Sequence, residues 1–186
     1  MKVAIYCGSS LGNNEEIVDA VKDLGKFLAN NGIDLVYGGG KVGLMGVIAD
    51  SFLENGAKVY GVIPKKLQEK ELAHTGVTEL TIVEDMHERK AKMADMADAF
   101  ITLPGGAGTL EEIIEVWVWA QLGYHDKPCA FYNINNFYDE LFEMFENMSN
   151  SGFLKEEYID MIINTEDKKE LLDKIKNYTP PKQKWD

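Results

Sequence analysis

The chain has 186 residues, 45% apolar and 27% charged, and its 19 Lys and Arg against 31 Asp and Glu leave a formal charge of −12. That length and composition suit one folded domain with a sizeable core, and the acidic balance argues against a nucleic-acid binder, which needs a basic face. No apolar run approaches the roughly 20 residues of a membrane helix, and two cysteines, Cys7 and Cys129, exclude a disulfide scaffold.

The opening Met1-Lys2-Val3-Ala4-Ile5-Tyr6-Cys7-Gly8 carries one Lys and a short apolar run, so it lacks the pattern of a secretory signal. A reduced cytoplasm is the expected setting. The charge leaves room for a small phosphorylated ligand, because a local site can oppose the global field.

Val3–Cys7 is a short β-type run. Glu15–Asn30 is helical, with Ile17, Val21, Leu24 and Leu28 on one face and Asn31-Gly32 as its stop. Ile33–Tyr37 is the next strand and Gly43–Glu54 the next helix, closed by Asn55-Gly56. Strands follow over Lys58–Ile63, ended by Pro64, and over Glu79–Val83, then a helix from Met86 to Ala97. Ala99–Leu103 is a strand, Leu110–Leu122 a helix, Cys129–Tyr132 a strand and Phe137–Met148 a helix. A last helix covers Glu166–Asn177, before Pro180-Pro181. This alternation predicts right-handed crossovers and a mainly parallel sheet with helices on both faces. One domain over residues 1–179 is expected, with a loose tail over 180–186 that includes Lys182–Asp186.

Within Leu110–Leu122, apolar residues cover almost the whole circumference, and Trp117 and Trp119 point to nearly opposite sides. Such a helix is buried all round, either in one core or with its second face against another subunit. The second is favoured in a chain of this size.

Ligands of open parallel sheets bind at the carboxyl ends of the strands. Three glycine-rich segments fall there, namely Cys7-Gly8-Ser9-Ser10, Gly38–Gly46 and Leu103–Glu112. Each leads toward a helix, whose free N–H groups and dipole favour a phosphate. The loops nominate Gly8 and Ser9, then Gly39, Gly40 and Gly43, then Gly105, Gly106, Gly108 and Thr109. Gly38, Gly40 and Gly43 also fit G-x-G-x-x-G, a weak signal alone and here after the second strand instead of the first. A nicotinamide oxidoreductase rests on that match only.

Thr109 can bond a phosphate oxygen or cap its helix, and Glu111 and Glu112 are placed in the first turn, where the dipole stabilises carboxylates. Either they are ordinary acidic helix-formers at a helix start, or one of the two, being adjacent and about 100° apart, faces a ligand beside the phosphate cradle. Arg89-Lys90 stands near a helix start, where cations oppose the dipole. Either it is a solvated face with Glu88 as partner, or Arg89 grips phosphate or ribose oxygens. The histidines His74, His87 and His125 and the cysteines show no metal-ligand spacing, and no G-x-S-x-G elbow occurs.

Pro104-Gly105-Gly106-Ala107-Gly108-Thr109-Leu110-Glu111-Glu112 matches P-G-G-x-G-T-x-x-E, and Met86-His87-Glu88-Arg89-Lys90 matches M-H-x-R-K. On these two motifs the sequence resembles the LOG (LONELY GUY) family of cytokinin riboside 5′-monophosphate phosphoribohydrolases, long labelled lysine decarboxylases. Cys7–Ser10, Gly38–Gly46 and Trp119–Gly123 fit as well, and the resemblance spans Lys2 to Phe145. It implies a three-layer Rossmann-like homodimer that hydrolyses the N-glycosidic bond of an N6-substituted AMP to free base and ribose 5-phosphate. By motif matching, Arg89 and Glu112 would be catalytic, and Gly105, Gly106, Gly108 and Thr109 would hold the 5′-phosphate. Glu111, Lys90 and Glu71 would join the substrate contacts. Val118 stands where plant members often carry Thr, and Lys65–Gly76 resembles bacterial members. No metal or redox cofactor is implied, and no lysine is singled out as a pyridoxal phosphate Schiff base. A different class, a carrier that holds a nucleotide or a molybdenum cofactor without cleaving it, could use the same loops but has no need of a carboxylate at the ribose.

Overall fold

The computed structural model describes residues 1–68 and 71–180. Glu69, Lys70 and the tail expected to be loose over Lys182–Asp186 lie outside the described residues. The elements follow as β1 (Lys2–Tyr6), α1 (Glu15–Asn30), β2 (Asp34–Tyr37), α2 (Gly43–Glu54), β3 (Val59–Pro64), β4 (Glu79–Val83), α3 (Met86–Met96), β5 (Ala99–Thr102), α4 (Ala107–Gln121), β6 (Cys129–Tyr132), α5 (Asp139–Asn150), α6 (Glu156–Ile159), β7 (Ile162–Thr165) and α7 (Lys168–Lys176).

Seven strands pair in the order β4-β3-β2-β1-β5-β6-β7, and every pairing between them is parallel. The chain winds outward from central β1 to the β4 edge, then returns to the other side of β1 and winds out again. The crevice between β1 and β5 is therefore the switch point, where the loops after two neighbouring strands diverge.

Alternate residues of each strand feed two cores. Val3, Ile5, Leu35 and Tyr37 pack with α1, α2 and α7, while Ala4, Tyr6, Val36 and Phe100 pack with α3, α4 and α5. Both faces being covered, the strands are apolar almost throughout. This is the three-layer Rossmann-like α/β fold that the alternation predicts.

Two details differ from expectation. The sequence reading has neither α6 nor β7, because Met161-Ile162-Ile163 is a short apolar run interrupted by Asn164, and the strand it forms lies at an edge. Helix α4 begins at Ala107, three residues before its predicted start, with Gly106 as N-cap. Glycine costs little in a first turn, whose N–H groups have no intrahelical partner. The alternative of α4 buried all round in one core, which is not the favoured one, does not hold within one chain. Trp117 is buried and its Nε1 donates to the Tyr158 carbonyl at 2.9 Å, but Val118 is 38% and Leu122 36% exposed. Among the described residues, no helix is long and apolar enough to cross a membrane.

Candidate active site

A cavity of about 390 Å³ opens beside the switch point, between the loop after β1, the start of α3 and the start of α4. The loop after β1 is pinned on both sides. Gly8 N–H donates to the Pro104 carbonyl at 3.1 Å, and Leu44 N–H at the start of α2 donates back to the Gly8 carbonyl at 3.1 Å. Among the described residues no side chain caps α4; the N–H groups of its first turn have no partner inside the helix, and positive potential is directed at the cavity. Gly106 and Gly108 would direct a Cβ into open space, whereas the Thr109 hydroxyl lies against Gly105.

Helix α3 starts on Asp85, whose carboxylate accepts the Glu88 N–H at 2.9 Å. Arg89 and Lys90 follow one turn later and are both buried, 4% and 7% exposed. They are no solvated face, and Glu88 serves neither of them as the expected partner: it accepts from the Glu84 N–H. Arg89 Nη2 donates to the Gly38 carbonyl at 3.0 Å and stands 3.4 Å from Glu71 Oε2. Its Nε is buried with no hydrogen-bond partner among the described residues. Lys90 Nζ reaches across to α4, 2.5 Å from Glu111 and 3.0 Å from Glu115. Burial alone would lower the Lys90 pKa, and its bonds to these two carboxylates raise it overall.

Neighbours in sequence thereby become opposites in space. Lys90 grips Glu111, and the adjacent Arg89 and Glu112 line one cavity from the two helices. Glu112 lies in the second turn of α4, past the reach of the first-turn N–H groups that were expected to favour its charge. Burial pushes its pKa up to about 7; Arg89 opposes the rise, while Glu111 and Glu71 add to it. Glu71 is also raised, by burial, with Arg89 opposing.

Of the residues nominated from sequence, Gly8, Ser9, Glu71, Arg89, Gly106, Gly108, Thr109, Glu111 and Glu112 line this cavity. Gly105 lines an adjoining pocket of about 310 Å³, which shares Gly8, Ser9 and Gly106 and is otherwise largely apolar, with Ile17, Leu44 and Phe137. Lys90 lies behind the cavity as a brace between α3 and α4. Gly39, Gly40 and Gly43 also lie off it, and the G-x-G-x-x-G match has packing reasons. A Cβ on Gly38 would fall 1.8 Å from Arg89 Nη2, and one on Gly43, at φ +58°, would fall 2.3 Å from the Ser9 carbonyl carbon. Gly40 is packed on Met45 and Glu71, and Gly39 on Ile63 and Leu80. The sequence reading misses the apolar wall of the cavity, formed by Leu67, Met45 and Met86. Methionine at helical spacing resembles core until the helices are placed. Among the described residues, no group of three or more His, Cys, Asp and Glu is placed to hold a metal ion.

A family model described as "Possible lysine decarboxylase" matches residues 45–175. The chain is 45% identical, over 191 aligned positions, to the probable cytokinin riboside 5′-monophosphate phosphoribohydrolase LOGL1 of Oryza sativa subsp. japonica, covering 100% of this chain and 86% of that one. It is 44% identical to the cytokinin riboside 5′-monophosphate phosphoribohydrolase LOG1 of Arabidopsis thaliana, over 98% of this chain and 86% of that one. Among solved structures, the molybdenum cofactor binding protein of Rippkaea orientalis superposes with a TM-score of 0.70 at 18% identity, over 94% of both chains. The Moco carrier protein of Chlamydomonas reinhardtii gives 0.69 at 16%, again over 94% of both. Those two likenesses speak for the fold, and the closer sequence relatives speak for the family: the chain belongs to the LOG family, whose curated relatives are named cytokinin riboside 5′-monophosphate phosphoribohydrolases.

Proposed function

We propose that this protein is a hydrolase that adds water across the N-glycosidic bond of an N6-substituted adenosine 5′-monophosphate, releasing the free base and ribose 5-phosphate. The observation that carries the reading is the meeting of Arg89 and Glu112 across one cavity, at the uncapped start of α4. The relatives at 44–45% identity carry that activity in their names.

In this reading the 5′-phosphate sits on the backbone N–H groups of Ala107, Gly108 and Thr109, with the Ser9 hydroxyl beside it. Anchoring the phosphate places the ribose against Glu112. Leaving of the base builds oxocarbenium character on the sugar, which a carboxylate stabilises while it orients the attacking water. Arg89 Nε, buried and unpartnered among the described residues, donates to an oxygen of the bound nucleotide. Met45, Met86 and Leu67 offer the flat base an apolar wall.

The working unit in this reading is a homodimer that covers the open face of α4. Val118, Leu122 and the following Tyr124 are 38%, 36% and 77% exposed, an apolar surface next to the cavity-bearing helix. Light scattering at the monomer mass would overturn the dimer. A reduced cytoplasmic setting fits Cys7 and Cys129, both free thiols and both buried.

The test is chromatography of the protein incubated with AMP and with isopentenyl-AMP, beside Glu112→Gln. Free base is expected from the wild type, and at least about 1000-fold less from the variant. Binding without release of base would overturn hydrolysis in favour of a nucleotide carrier. Equal activity in the variant would remove the role of Glu112.

A further inference from the structure

Glu71 reaches Arg89 from residues 71–76, which form no helix or strand of their own. Backbone bonds hold this segment to the loop after β2. Lys41 N–H donates to the carbonyls of Glu71 and Leu72 at 3.0 and 2.9 Å, and His74 N–H donates to the Gly39 carbonyl at 2.9 Å. Leu72, between the two functional side chains, has φ +47°. A bulky residue keeps that conformation only where its surroundings impose it.

The His74 side chain supplies the second hold. It is 4% exposed. Its Nδ1 accepts the Gly76 N–H at 3.1 Å, which puts the ring proton on Nε2, and Nε2 stands 2.9 Å from Asp50 Oδ1 on α2. Both ring nitrogens are thus committed, one to the segment's own turn and one to the helix that also gives Met45 to the cavity. Neither His74 nor Asp50 lines that cavity; Asp50 faces the groove between α1 and α2.

We infer, on the basis of the hydrolase reading above, that His74 and Asp50 are positioning residues for the reaction. Their bond fixes residues 71–76 on α2, and so sets where the Glu71 carboxylate stands against the Arg89 guanidinium. Arg89 is held from one side by the Gly38 carbonyl, directly after β2, and from the other by Glu71, which is only as well placed as its segment. Loosening that segment lets the guanidinium turn away from the sugar while the phosphate cradle at α4 stays intact. The loss falls on kcat and leaves KM nearly unchanged.

The test compares Asp50→Ala, His74→Ala and His74→Gln, alone and combined with Glu71→Gln, on isopentenyl-AMP. Asp50→Ala and His74→Ala are expected to lower kcat roughly 10- to 100-fold with KM within about twofold. His74→Gln keeps a donor where Nε2 stood and retains most of the activity. In the Glu71→Gln background, Asp50→Ala has no further effect, since the pair acts through Glu71. Additive losses would overturn the inference, as would a loss confined to KM. Nitrogen NMR of the wild type, which no folding defect can confuse, is expected to show His74 as the Nε2–H tautomer; an Nδ1–H tautomer would also overturn it. Inactive wild-type protein would overturn the hydrolase reading itself, which is a different result from active protein with additive variants.

Discussion

A groove and a cavity on this molecule are built on helices that cover opposite faces of the sheet, and they differ in kind. The groove between α1 and α2 encloses about 640 Å³ and is lined by Lys22, Lys26, Asp19, Asp23 and Glu54 among others. The cavity between α3 and α4 encloses about 390 Å³. In the groove the charges are solvated: Lys22 and Asp19 stand 3.8 Å apart with side chains 59% and 78% exposed. In the cavity Arg89 and Glu71 stand 3.4 Å apart with side chains 5% and 18% exposed. Exposed pairs of the first kind contribute little to anything. Buried charges of the second kind are kept against a desolvation cost, which raises the pKa of the Glu71 and Glu112 carboxyls. The smaller hollow is the candidate site because its charges are withdrawn from water, and size is a poor guide.

The sharpest way to break this comparison is at Arg89. Arg89→Lys keeps the charge but loses the planar fork that serves the Gly38 carbonyl and Glu71 together. The expected loss in kcat/KM is about 100-fold. A loss of only a few-fold would mean that charge alone matters there and that the buried geometry does not.

The pH profile comes next. Glu112 is pushed up to about 7, so it is protonated well below neutrality. If its carboxylate stabilises the sugar cation, kcat/KM rises with pH, about tenfold per unit, and levels off above 7. The opposite slope, activity falling as pH rises through 7, would make Glu112 a proton donor. Glu112→Gln should abolish whichever limb is seen.

The same group bears on stability. Its folded pKa lies above its ordinary value of 4.5, so the folded state holds the proton more tightly. The stability this contributes is present below pH 4.5 and is lost as pH rises through 7. Glu112→Gln, neutral at every pH, is therefore expected to melt a few degrees higher than the wild type at pH 8 and no higher at pH 4. Equal melting temperatures at pH 8 would show that Glu112 is better solvated than its position implies.

How much of this could be read in advance follows from the range over which each signal acts. The strand run Ala99–Thr102 and helix α1, with its Asn14 N-cap and one apolar face, are set by neighbours in sequence and stand where patterning puts them. The start of α4 lies earlier than the pattern suggests because Gly106 and Gly108 read as breakers, whereas a first turn, whose N–H groups have no intrahelical partner, accepts glycine at little cost. The motifs nominate Arg89 and Glu112, but the reason these face each other, Lys90 held between Glu111 and Glu115, needs the placement of two helices. The contact of Glu71 with Arg89 depends on a segment with no periodicity at all. Gly39, Gly40 and Gly43 lie off the cavity and are closely packed; a glycine required by packing and one required by a ligand look alike in sequence.

The smallest expected effect tests the other half of the comparison. Lys26→Gln with Glu54→Gln removes charge of both signs from the larger groove without touching the cavity, and leaves net charge unchanged. Activity on isopentenyl-AMP is expected to stay within about twofold of wild type, and the melting temperature within a degree or two, because exposed charges of this kind are worth under about 1 kcal/mol. Asp50 must be left in place in this control, since it lines the groove yet bonds His74. A large loss of activity from Lys26 and Glu54, with folding intact, would mean that the groove acts on the reaction by some route other than Asp50, and that exposure is no guide to which hollow matters.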